Sequence, residues 1–208
     1  MVKCKACDEE IEYEFDYSKN ITVKNKYDYT PKIYTINFWH PFEDPRNYVP
    51  YFKILQEAHE EDQIIFYFDS PGGYLHTLNL FLNALRRCKS KYILARVNYA
   101  ASAAALLALY CDNIEFNTNS TLMLHTASGG YRGKTQEIES EVEHNKKNYE
   151  DLFKYILQKI LTDDEIQQLL DGKDFYFTGT EAVKRLKARA AEKLRQDKLK
   201  KKKSNGSK

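Results

Sequence analysis

Runs of β-type sequence alternate with helical sequence along most of this chain, and that alternation narrows the fold more than any other feature. From Lys32 the run Ile33-Tyr34-Thr35-Ile36-Asn37-Phe38 enters a proline-marked loop, His40-Pro41-Phe42-Glu43-Asp44-Pro45, and then a helical stretch to about His59. The pattern repeats as a strand over 63–68, a glycine turn, a helix over 74–88, a strand over 92–97 and a helix over 102–110. Short strands follow near 114–116 and 121–124. Strands separated by a helix lie parallel, because the helix carries the chain back to the edge from which the strand began. The expected class is α/β with a mostly parallel sheet, and chemistry belongs at the carboxyl ends of its strands.

Beyond this core the spacing predicts one long helix over 134–161, with Ile138, Val142, Tyr149, Leu152, Phe153, Ile156 and Ile160 at three- and four-residue steps. At 1.5 Å per residue it spans about 40 Å, more than a small domain needs, so it is expected to protrude and pack on a partner. A second helix opens at Thr162-Asp163-Asp164-Glu165, a cap with an acidic first turn, and stops at Asp171-Gly172. Phe175-Tyr176-Phe177 reads as a short strand, and a last helix begins at Thr180 with Leu186, Ala190 and Leu194 on one face. Residues 1–31 form a polar, tyrosine-rich extension with a weak strand signal near Asn20-Ile21-Thr22-Val23.

With 208 residues and 42% hydrophobic content, the chain can bury one substantial core. No apolar run approaches 18 residues and the start lacks a signal-peptide core, so no membrane partner is expected. Four cysteines, Cys4, Cys7, Cys88 and Cys111, are too few and scattered for a disulfide framework, which points to a reducing compartment, the cytoplasm by default. Cys4-x-x-Cys7 lacks the second pair a zinc site needs, so neither metal nor cofactor is expected. The net charge of +2 hides a division: residues 184–208 carry 12 Lys and Arg against two acids, leaving 20 bases against 28 acids in residues 1–183. The basic tail, 187–208, is expected to be unstructured at its end. A terminal run of this kind is more often a solvated tail than a nucleic-acid contact.

Three segments carry chemistry. Asp69-Ser70-Pro71-Gly72-Gly73 is a glycine turn after a strand, where backbone N–H groups lie open to a developing oxyanion. Ala100-Ala101-Ser102-Ala103 puts Ser102 at the start of an apolar helix, at the positive end of its dipole. Leu122-Met123-Leu124-His125 ends a β-rich run in a histidine suited to act as a restrained base. Taken singly each has a plainer reading: Ser102 as a helix cap, His125 as a satisfied core histidine, Gly72-Gly73 as a strand-to-helix turn.

In this order the segments resemble the proteolytic subunit of the Clp protease (ClpP) family over roughly 32–186. Ser70 to Gly73 matches the family's Ser-Pro-Gly-Gly turn, Ala100 to Ser102 its Ala-Ala-Ser motif, and Met123-Leu124-His125 its Met-Ile-His motif. Gly129-Gly130-Tyr131-Arg132-Gly133 is similar to the segment that leads into the family's handle helix, and Lys173-Asp174-Phe175-Tyr176 to its Arg-Asp-Arg-Phe region. The resemblance implies a ClpP/crotonase-like core of repeated ββα and βαβ units, with a handle at about 126–161. It implies a serine endopeptidase with a Ser102, His125, Asp174 triad and an oxyanion hole from the N–H groups of Gly73 and Ala103. It also implies an extended polypeptide substrate against Gly72, Tyr74, Leu75, Thr126, Ala127 and Ser128. Stacked heptameric rings of identical subunits and an AAA+ unfoldase partner belong to the same implication. The chain departs from the family at Ser102-Ala103-Ala104-Ala105, where Ser-Met-Gly-Ala is usual, and its N-terminal segment does not match the family's axial loop. Two other readings stay open: a crotonase-fold acyl-CoA hydratase or isomerase, and a catalytically silent ClpP-like structural subunit.

Overall fold

A five-stranded sheet, with helices packed against it, organises the core of the molecule. The structure, a computed structural model, describes residues 2–3, 10–11, 29–126 and 133–205. β1 (Val2–Lys3) and β2 (Glu10–Ile11) form a small antiparallel pair. The main sheet holds β3 (Ile33–Phe38), β4 (Gln63–Ser70), β5 (Tyr92–Ala101), β6 (Asn113–Leu124) and β7 (Phe175–Thr178), side by side in chain order. The first four are parallel and β7 is antiparallel to β6. Along β4, Ile64, Phe66, Phe68 and Ser70 point inward while Gln63 and Asp69 are exposed, as a period of two requires.

A parallel neighbour requires a crossover, and each one here is a helix: α1 (Val49–Glu57), α2 (Leu75–Arg87) and α3 (Ser102–Tyr110). α1 packs on α2 and α2 on α3, so the three form one layer. Leu55, Leu78, Phe81 and Leu82 from this layer meet Ile36, Phe38, Phe66 and Phe68 from the sheet, all at most 2% exposed. Phe38 stacks on Phe68 with centroids 5.1 Å apart and meets the edge of Phe81 at the same distance. Each such side chain contributes about 1.5–3 kcal/mol by leaving water. α3 is apolar all round, and its residues 103–109 are all buried, because it is enclosed by α2, β5, β6 and the later helix Thr135–Leu157.

The elements differ from the sequence expectation in four places. β5 runs on to Ala101, because a bulge at Asn98 absorbs the polar interruption: Phe68 pairs with Val97, and Asp69 with Tyr99. β6 is one element, yet its ladder to β5 jumps from Phe116 to Thr121, so the polar gap between two expected strands is a real break in pairing. Ser120 stabilises the break, accepting from the Asn117 N–H at 2.8 Å and donating to the Val97 carbonyl at 2.5 Å. α4 (Thr135–Leu157) ends before the expected residue 161; Ile160 and Leu161 are buried in turns ahead of α5 (Asp163–Leu170), which Thr162 caps.

The fourth difference is α6 (Gly179–Asn205), which continues through Lys200-Lys201-Lys202-Lys203, where composition alone predicts an unstructured end. Lysine is a good helix former, and cations complement the negative end of a helix. α6 packs on β6 and β7 through its first turns. The weak strand signal near Asn20, the Cys4-x-x-Cys7 pair and the segment 127–132 lie outside the described residues. Among the described residues no helix is long and apolar enough to cross a membrane.

Candidate active site

The carboxyl ends of β4, β5 and β6 carry the three chemical segments to one edge of the sheet. Ser70 pairs with Ala100 and Ala101 with Met123, so Gly72, Ser102 and His125 each follow the end of a strand in the same register zone. β7 reaches the same edge: Leu124 pairs with Phe175 in antiparallel fashion at the last rung of the ladder, and His125 and Asp174 are the next residues beyond it on the two strands. Asp174 is exposed, and His125 and Ser102 are half-buried. Among the described residues neither the Ser102 hydroxyl nor the Asp174 carboxylate makes a hydrogen bond; catalytic contacts of this type are often long before substrate binds.

Ser102 stands on strained backbone. Its φ is +55°, and it is the one non-glycine residue with positive φ among the described residues. A side chain in this region costs about 1–3 kcal/mol and persists only where the surroundings impose it. The cap of α3 is Ala101, with no side-chain capping bond, so the plainer reading of Ser102 as a helix cap does not match the geometry. A sharp strand-to-helix turn instead carries Ser102 off the end of β5, the kind of turn that exposes the nucleophile in enzymes of the α/β-hydrolase fold.

The glycine turn packs directly on this serine. At Gly72, φ +91°, a Cβ would lie 2.5 Å from the Ala101 carbonyl oxygen and 2.8 Å from both the Ala103 nitrogen and the Ser102 Cβ. At Gly73, φ +138°, it would meet the Phe42 carbonyl oxygen at 2.3 Å. Phe42 donates its N–H to the Gly72 carbonyl at 2.5 Å and accepts from the Tyr74 N–H at 2.8 Å. Gly73 is thereby bridged to Phe42 in parallel fashion, and its own N–H turns to the opposite edge. The Ala103 N–H belongs to the first turn of α3, where helix geometry supplies no acceptor. Ala104, where the resembled family usually has glycine, is fully buried in the core cluster, so the extra methyl is accommodated there.

The expected substrate contacts divide. Tyr74 is 64% exposed ahead of α2, Leu75 begins that helix half-buried, and Thr126 is half-buried just beyond His125. Ala127 and Ser128 lie outside the described residues. A cleft of about 1000 Å³ lies elsewhere: Cys111, Asn113, Tyr155, Lys159, Arg189 and Lys193 line it at the opposite end of β6. Among its lining residues this charged cleft has neither a positive φ nor a glycine.

One residue with no sequence signal emerges at the far end of α3. Lys159 donates from Nζ to the carbonyls of Leu109 (2.6 Å), Tyr110 (3.3 Å) and Cys111 (3.2 Å), closing the end of the helix that starts with Ser102. Burial lowers its ammonium below the usual lysine range, and burial pushes the neighbouring Cys111 thiol up to about 12. Ser70 was legible only as part of a motif; its inward parity with Phe66 and Phe68, a polar residue at a core position, is the signal that marks it.

Comparison with known proteins follows the same segments. The family model described as Clp protease matches residues 44–185. The chain is 28% identical over 144 residues to the ATP-dependent Clp protease proteolytic subunit 2 of Pseudomonas aeruginosa, an alignment covering 62% of this chain and 68% of that protein.

Proposed function

The chain belongs to the Clp protease family, as a divergent member, and from that premise we propose that it is a serine endopeptidase acting on unfolded or short polypeptides. Ser102 is the nucleophile, His125 its base and Asp174 the carboxylate that orients the imidazole. In the first step His125 takes the Ser102 proton as Oγ attacks a peptide carbonyl carbon. The carbonyl oxygen, now an oxyanion, is held by the N–H groups of Gly73 and Ala103, a contribution of about 2.7–4 kcal/mol per donor. Collapse breaks the C–N bond, His125 returns the proton to the leaving amine, and an acyl ester remains on Ser102. Water, deprotonated by His125, then releases the acid and restores the serine.

The observation that carries this reading is the strained backbone of Ser102, φ +55°, packed against Gly72 at the strand edge where His125 follows β6. Strain of that kind has no packing use: α3 is buried and apolar whichever way the hydroxyl points. Substrate lies extended along the free edge of Gly73, so main-chain bonds dominate and sequence preference is weak. In the same proposal residues 32–186 form the peptidase domain, and α4 within 126–161 serves as the handle by which identical subunits assemble into rings. An AAA+ unfoldase is the corresponding partner.

Reaction with a fluorophosphonate probe tests the reading directly. The full-length protein should be labelled once per chain, and Ser102→Ala should not be labelled. Equal labelling of the two, or none in the wild type, overturns the proposal.

A further inference from the structure

Ser70 is fully buried at the end of β4, among phenylalanines, yet it carries a hydroxyl that is used twice. Its Oγ donates to the His40 carbonyl at 2.7 Å and accepts from the Gly72 N–H at 3.3 Å. The first bond ties the turn to the loop that follows β3, and the second sets the peptide plane that leads into Gly72. The same loop then holds the turn from its outer side, through the Phe42 N–H on the Gly72 carbonyl and the Tyr74 N–H on the Phe42 carbonyl. It is anchored further along, where Thr77 Oγ1 on α2 donates to the Glu43 carbonyl at 2.5 Å.

These contacts bear on one atom pair. Two glycines in succession, at φ +91° and +138°, leave the turn free of side-chain restraint, and glycine alone imposes no direction on the Gly73 N–H. An oxyanion donor is useful only if it is aimed before the charge develops. We propose that Ser70 is a positioning residue: its buried hydroxyl, braced on the His40 carbonyl, fixes the Pro71–Gly72 peptide while the Phe42 N–H holds the next peptide by the Gly72 carbonyl, and the two together aim the Gly73 N–H at the reacting carbonyl oxygen. This rests on the serine-peptidase reading given above. Serine suits the task because its hydroxyl can donate and accept together, and because it is small enough for a fully buried strand end.

The test compares rates of fluorophosphonate labelling at Ser102 for the wild-type full chain, Ser70→Ala, Ser70→Cys and Ser90→Ala. Ser90 is the control: it is also buried, and it donates to the Asp62 carbonyl at 2.8 Å, but it sits at the opposite end of the sheet, ahead of β5. Ser70→Ala should label at least about tenfold more slowly, in line with the rate cost of small misplacements in an active site. Ser70→Cys, nearly the same size with weaker hydrogen bonds, should fall between. Ser90→Ala should label within twofold of wild type, although thermal unfolding shows a comparable loss of stability. Labelling of Ser70→Ala within twofold of wild type, or a loss no greater than that of Ser90→Ala, overturns the inference and leaves the peptidase reading intact. If Ser70→Ala does not fold, the Ser70→Cys rate decides alone, a wild-type rate counting against the inference. A wild-type protein that is not labelled overturns the peptidase reading, and this inference with it.

Discussion

His125 and Asp174 are the residues one step beyond the last rung of the β6–β7 ladder, the pairing of Leu124 with Phe175. No sequence proximity links them; the antiparallel return of β7 does. In the proposed mechanism the carboxylate selects the imidazole tautomer, so Asp174→Asn should lower the turnover of a fluorogenic peptide about 10³-fold or more while the thermal midpoint hardly moves. Activity within tenfold of wild type would remove Asp174 from the machinery.

Gly72→Ala and Gly172→Ala separate two costs of adding a methyl group. Both positions have positive φ, +91° and +99°, and both should lose about 1–2 kcal/mol from the dihedral alone. At Gly172 a Cβ meets nothing within 4 Å, whereas at Gly72 it strikes the backbone of Ala101 and Ala103. Denaturant unfolding should therefore show Gly72→Ala clearly less stable than Gly172→Ala, and only the former should slow labelling of Ser102. Equal unfolding midpoints would contradict the close packing of turn and serine.

Lys159→Met should destabilise the fold by about 1–3 kcal/mol, because three carbonyls at the end of α3 lose a charged donor. The methionine stem replaces most of the apolar contact, so the loss reports the cap rather than a cavity. A change in unfolding free energy under about 0.5 kcal/mol would show that water serves these carbonyls equally well.

Glu165 offers a pH test. Burial acts to raise its carboxyl, but the Thr162 N–H at 2.9 Å and the Arg185 guanidinium at 2.8 Å outweigh burial and hold it below the unfolded value of 4.5. A carboxylate depressed on folding contributes stability above pH 4.5 and loses it as the pH falls through the folded value. Glu165→Gln should therefore melt below wild type at pH 7, and the gap should close as the pH is lowered from 4.5 through the folded value. A gap that stays constant with pH would assign the difference to shape rather than charge.

Local chemistry made much of this molecule legible. The bounds of β3 and α3 follow directly from the alternation of Ile33 to Phe38 and the apolar run from Ala103 to Leu109. What escaped depends on contacts between distant segments. The bulge at Asn98 hides four residues of β5 behind a polar pair, and a lysine at 159 shows no sign of having turned back onto α3. For the candidate site, the positions of Ser102, Gly72 and His125 were readable because each follows a strand that could be recognised. The positive φ of Ser102 was not, since a serine ahead of a helix looks the same whether it caps the helix or departs from it.

That dihedral sets stability and reactivity against each other at a single residue. Glycine adopts φ +55° without strain, so Ser102→Gly should unfold at a higher temperature than wild type while losing the hydroxyl altogether. A library of variants sorted only for resistance to heat would accordingly drift toward a sturdier protein without this hydroxyl, and would find its way to the proposed nucleophile without ever being shown a substrate.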